Sequence, residues 1–201
     1  MILNLIITGV GGQGNVLASQ VLGHAAVHRG MNVTIGETFG LSQRGGAVSS
    51  HIRFSDSETV GPIIPPNMAH ILVGLEPLEP VRMMQEFGNP NTIYLVNKRP
   101  IFPLNVIAGE ARYPETGWIQ KTLSDFGGKL FFLDATDVAV RLGGAILLNM
   151  VMIGALCALD AFPIQIEDVR YVVKDRFPEK KRDLNYQALD FGRQLLNKAT
   201  V

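Results

Sequence analysis

Ile7-Thr8-Gly9-Val10-Gly11-Gly12-Gln13-Gly14 decides how the rest of this 201-residue chain is read. A mainly apolar run from Ile2 to Ile7 leads straight into it, as a buried strand leads into a turn. Glycine accepts backbone angles that other residues resist and puts no Cβ between the chain and whatever approaches it. A helix opening just after such a turn presents N–H groups that favour negative charge. Gly9, Gly11 and Gly14 fit G-x-G-x-x-G, and Glu37 closes the next predicted strand, where a dinucleotide fold keeps its ribose-binding acid. Two readings stay open: a nucleotide site, or a tight turn that lets helix and strand pack closely. Gln13 adds a side-chain amide able to bond a ligand or the backbone of a partner.

Outward from the loop, Leu41-Ser42-Gln43-Arg44-Gly45-Gly46 follows the second predicted strand, Asn32–Glu37. Arginine suits bidentate recognition of phosphate or carboxylate, and Ser42 and Gln43 add hydrogen-bonding groups. Equally, Arg44 could tie its loop to a helix end or to Glu37.

Further strands are expected at Ala47–Phe54, Ile71–Gly74, Thr92–Val96 and Leu130–Leu133. Helices are expected from Gly14 to Arg29 with Gly30 as the stop, from Pro77 to Phe87 and from Glu115 to Phe126. The last third is helical: Asp137–Leu142, Ala145–Leu159, Ile166–Arg176 and Leu184–Lys198. Alternating strands and helices imply an α/β fold, a mostly parallel Rossmann-like sheet with helices on both faces. The expected organisation is one domain over 1–201, with a sheet core at 1–142 and a helical extension at 143–201.

Lys+Arg and Asp+Glu both number 18, a balance that argues against broad nucleic-acid binding. Zero formal charge gives little electrostatic solubility, which suits a permanent partner. The single cysteine, Cys157, excludes an internal disulfide, a cysteine-rich zinc site and an iron–sulfur cluster. The apolar run Ala145–Leu159 is interrupted by Asn149 and is short for a bilayer. The N-terminus lacks a basic segment with a small-residue cleavage site. A soluble cytoplasmic protein is expected.

Candidate reactive groups are few. His24 and His28 share a helix face, but Ala25, Ala26 and Val27 separate them, without the glutamate of a zinc helix. His51 is expected on an exposed sheet face. Glu76 follows a strand whose end faces the crevice of a parallel sheet, so it is placed near the glycine loop. Glu79 is expected to favour a helix N-terminus through the macrodipole. Asn149 is expected to fix a backbone loop, and Glu179 to Asp183 to form a solvated turn. There is no G-x-S-x-G, no phosphate loop ending in Gly-Lys-Ser/Thr, no H-E-x-x-H and no Gly-Asp-Gly diphosphate anchor. No catalytic residue and no metal ligand is assigned.

Taken together, Gly9 to Gly14, Ser42 to Gly46 followed by Val48 to Arg53, Gly74 to Glu79 with Arg82, Asn149 to Gly154, Asn185 and Gly192 resemble the gamma-type subunits of 2-oxoacid:ferredoxin oxidoreductases. The likeness covers nearly the whole chain. Gln43-Arg44-Gly45-Gly46 and the Glu-Pro-Leu-Glu run incline it toward the indolepyruvate branch, with gamma subunits of pyruvate or 2-oxoglutarate enzymes as the alternative. The resemblance implies a subunit of an enzyme that decarboxylates a 2-oxoacid oxidatively with coenzyme A and reduces ferredoxin. It places thiamine diphosphate, magnesium and iron–sulfur clusters on a large partner subunit, and none on this chain. The residues it implicates in ligand or partner contact are Gly9, Gly11, Gly12, Gln13, Gly14, Ser42, Gln43, Arg44, Gly45, Gly46 and Glu76. A homodimer of the isolated chain, a stand-alone dinucleotide-binding oxidoreductase and a pure interaction module remain open on the residues alone.

Overall fold

The computed structural model describes residues 1–39 and 46–199, so Ser42, Gln43, Arg44 and Gly45 lie outside the described residues. Six strands form one sheet in the order β2-β3-β1-β4-β5-β6. They are β1 (Ile2–Val10), β2 (Asn32–Phe39), β3 (Ala47–Ser55), β4 (Ile71–Gly74), β5 (Ile93–Asn97) and β6 (Leu130–Leu133). The helices are α1 (Asn15–His28), α2 (Leu78–Phe87), α3 (Leu104–Ile107), α4 (Thr116–Phe126), α5 (Ala135–Leu142), α6 (Leu148–Leu156), α7 (Ile166–Arg176) and α8 (Glu179–Ala199).

Pairings β1·β4, β4·β5 and β5·β6 are parallel, as the βα alternation predicts. The difference lies at β3, which runs antiparallel to both β1 and β2. Only seven residues separate β2 from β3. A parallel crossover needs a dozen or more, so the short connection forces a hairpin. β3 thereby separates β2 from β1, with Ile7 opposite Ser50 and Ser50 opposite Glu37.

Side-chain alternation feeds two cores. Leu3, Leu5, Ile7, Ile71, Val73 and Leu95 join α1 and α5–α8 on one face. Ile6, Leu72, Tyr94 and Val96 join α2 and α4 on the other. The C-terminal helices therefore share a buried cluster with the sheet. α6 and α8 touch backbone to backbone: a Cβ on Gly154 would overlap the Leu189 carbonyl, and one on Gly192 the Val151 carbonyl.

Several boundaries differ from expectation. Glu179 to Asp183 form the first turn of α8 rather than a solvated turn. The proline-broken stretch after Pro103 contains the one-turn α3. His51 is buried, edge-on to Phe87 at 4.9 Å, and not on an exposed face. It sits on the inner side of β3 because α2 covers that face of the sheet. Burial lowers its pKa.

Candidate functional site

The C-terminal ends of β1 and β4 meet where the sheet changes direction, and the glycine loop rises between them. Gly12 (φ 100°) and Gly14 (φ 84°) adopt left-handed angles, which turn the chain into α1 within a few residues. The Gly11 amide donates to the Gly46 carbonyl at 3.0 Å, so the loop is tied to the strand that starts at Ala47. Behind it, the Asn149 amide at the start of α6 reaches the Gly14 carbonyl at 3.5 Å, and its own oxygen accepts from Met150 N–H at 2.9 Å. Asn149 thus fixes a backbone loop, as the sequence suggests.

Gln13 closes the loop from above. The Val10 amide donates to its Oε1 at 2.9 Å, and its Nε2 donates to the Leu75 carbonyl at 2.8 Å. A Cβ on Gly9 would meet that same Oε1 at 2.5 Å. The amide bonds its own chain and fills the space over Gly9, the glycine that makes the tight turn. Leu75 receives a second donor, Asn97 Nδ2, at 2.9 Å. The fully buried Asn97 also bonds Thr136 through Oγ1 at 2.9 Å and its amide at 3.1 Å. Sequence reasoning missed this bridge; its only signal is a polar residue ending an apolar strand.

Glu37 holds Ser19 Oγ and Ser50 Oγ, each at 2.6 Å. Both carboxylate oxygens are engaged, and β3 stands between Glu37 and the glycine loop. This corrects the ribose-binding placement of Glu37: a dinucleotide fold sets its second strand beside its first.

Glu76 lies at the end of β4, one residue past the carbonyl that Gln13 bonds. Its Oε2 accepts from the amides of Leu78 at 2.8 Å and Glu79 at 3.2 Å. Glu76 therefore satisfies the first amides of α2, and Glu79 sits in its first turn, as expected. Its Oε1 takes Tyr113 Oη and the Ile101 amide. Glu79 is 3% exposed, and its Oε1 accepts from Arg82 at 2.9 Å. Its Oε2 is buried without a partner. Burial raises the Glu79 pKa to about 7, Arg82 opposes this, and Glu76 adds to it. Burial and the bond to Glu76 push the Tyr113 hydroxyl well above its ordinary range.

Two clefts flank the loop. One of about 510 Å³ runs along Gly11, Gly12 and Gln13 to Arg99, Ile101 and Ile146. The other, about 330 Å³, holds Gly46, Glu76, Glu79, Arg82 and Tyr113. The structure thus brings Gly11, Gly12, Gln13, Gly46 and Glu76 to one end of the sheet. Among the described residues, no group of three or more His, Cys, Asp or Glu could hold a metal ion. Burial raises the Cys157 thiol far above its ordinary pKa.

A family model described as pyruvate ferredoxin/flavodoxin oxidoreductase matches residues 4–195. The chain belongs to that family. Indolepyruvate oxidoreductase subunit IorB of Pyrococcus horikoshii is 37% identical over 190 residues, 94% of this chain and 93% of the relative. The keto/oxoacid ferredoxin oxidoreductase gamma subunit of Geobacter sulfurreducens superposes with a TM-score of 0.72 at 21% identity, over 98% of this chain and 99% of that one. In the 2-oxoglutarate:ferredoxin oxidoreductase of Magnetococcus marinus, the same fold covers 98% of this chain but 31% of a longer one (TM-score 0.73, 19% identity). In this chain the glycine turn opens α1 beneath the Gln13 clasp, and no described helix is long and apolar enough to cross a membrane.

Proposed function

We propose that this chain is the small subunit of a 2-oxoacid:ferredoxin oxidoreductase of the indolepyruvate type, and that its reactive centre lies on a large partner subunit. The near full-length likeness to IorB carries this reading. The family's redox cofactors do not fit this chain. An iron–sulfur cluster takes several cysteine thiolates, and Cys157 is a single, half-buried thiol. The Gly-Asp-Gly anchor of a thiamine diphosphate–magnesium site is absent from the sequence. Thiamine diphosphate, magnesium, iron–sulfur clusters and the coenzyme A and ferredoxin contacts are therefore assigned to the complete complex.

The contribution of this chain is a rigid wall. Gln13, Asn97 and Asn149 lock the glycine turn to Leu75 beyond β4, to Thr136 of α5 and to α6, and the single domain 1–201 presents that turn at one end of the sheet. Gly9 to Gly14, Ser42 to Gly46 and Glu76 are its ligand- or partner-facing loop. Oxoacid-dependent dye reduction by the large subunit, measured with and without this chain, tests the assignment. Activity that rises when the chain is added supports it. Equal rates in both arms overturn it.

A further inference from the structure

The glycine loop lies in the middle of an apolar surface that the chain itself does not cover. α3 has no buried residue, yet three of its four side chains are Leu104, Val106 and Ile107. Leu104 is 80% exposed and Ile107 70%. In the crevice that the loop lines, Ile146 of the 3-10 turn Ala145–Leu147 is 83% exposed. Isolated exposed aliphatics need no explanation, but a contiguous set does.

Contiguity follows from shared walls. Ile101 lines both the 510 Å³ crevice and the 330 Å³ cleft. Ile146 lines that crevice and a third hollow of about 200 Å³, which reaches Leu17, Lys181 and Leu184. One surface therefore runs from Val106 of α3, whose single turn also carries exposed Leu104 and Ile107, past the glycine loop to the start of α8.

The unpaired exposed charges lining it have one sign, because Arg82 pairs with buried Glu79 and Arg99 with exposed Asp137. The charged residues lining these three hollows are Arg82, Arg99, Arg112 and Lys181, which are exposed, and Glu76 and Glu79, which are buried. Arg112 and Lys181 have no ion pair among the described residues. A second copy docking by a two-fold axis would set this patch against itself. Cations would meet cations across the contact, which is unfavourable.

We propose that the face carrying Ile101, Leu104, Ile107 and Ile146 seats the cofactor-bearing subunit, whose matching surface is apolar side chains ringed by carboxylates. This rests on the small-subunit reading and adds the place of contact. The glycine loop and Glu76 then lie under the partner, closed off from water by the apolar rim, as a contact centre is by its surround.

The test is co-expression of the large subunit with wild-type chain, with Leu104→Asp/Ile146→Asp, and with Val27→Asp as a control at the far end of α1. Dissociation constants are read on the purified proteins, with melting temperatures to confirm folding. Wild type and the control bind alike, and the double variant binds at least about tenfold more weakly. If the double variant fails to fold, Leu104→Asp alone carries the test, because α3 contributes nothing to the core. Wild-type affinity in a folded variant overturns the docking face and leaves the small-subunit reading standing. No complex with wild-type chain overturns both. A homodimer of the isolated chain, seen by light scattering and dissolved by the same substitutions, makes a second copy the occupant and overturns the proposal.

Discussion

At Glu79 one carboxylate oxygen meets Arg82 and the other meets no donor. Burial raises its pKa from 4.5 to about 7, so between those values the native state holds a proton that the unfolded chain releases. Stability contributed by this group is therefore present below pH 4.5, lost as pH rises toward 7, and flat above. Glu79→Gln keeps the shape and removes the titration. The variant should gain on wild type between pH 5 and pH 8, by on the order of 2 kcal/mol after allowing for screening by exposed Arg82. Denaturant midpoints at the two pH values check this; a gap that does not change with pH contradicts it. The sequence shows a pair of acids after a strand. It does not show which one caps α2, because that depends on where Tyr113 and Ile101 return. Gln13 is legible as a loop amide in need of a partner, whereas its acceptor, Leu75, lies 62 residues away and becomes a neighbour only through β1·β4 pairing.

Among the elements, α6 and α8 make the closest approach. Gly192→Ala would push a methyl into the Val151 carbonyl, and neither helix backbone can yield easily. A cost of about 3 kcal/mol or more follows, a fall in melting temperature of roughly 6–12 °C for a domain of this size. Gly61→Ala, where a Cβ meets open space, serves as the control and should leave the melting temperature almost unchanged. A mild effect at Gly192 would mean that the helices stand further apart. Element positions were largely readable, since the glycine stop after α1 and the short apolar runs of β4 and β6 have clear local causes. The start of α8 was not, because five consecutive charged residues read equally well as a turn or as an exposed helical turn. The direction of β3 follows from loop length, which outweighs the parallel pattern set by the other strands.

For the molecule as a whole, the sheet end that bears the glycine loop is fixed by the bonds of Gln13, Asn97 and Asn149, and it carries exposed aliphatic and cationic side chains. Its dinucleotide-like signature is real in spacing, but the Gln13 clasp and the insertion of β3 leave that spacing serving the turn. Residues 40–45, among which Ser42 to Gly45 carry part of the family likeness, fall outside the described residues, so their contact role stays with the proposal. What the sequence conveyed best at this scale was an inventory: a lone thiol, balanced charge and a complete two-faced fold. On the proposed function, the chemistry of an oxidative decarboxylation comes from the large partner subunit. The direct measurement is oxoacid-dependent dye reduction by the purified chain alone, supplied with coenzyme A, thiamine diphosphate and magnesium. The account predicts a rate equal to the blank. Turnover by the chain without a second subunit would contradict it.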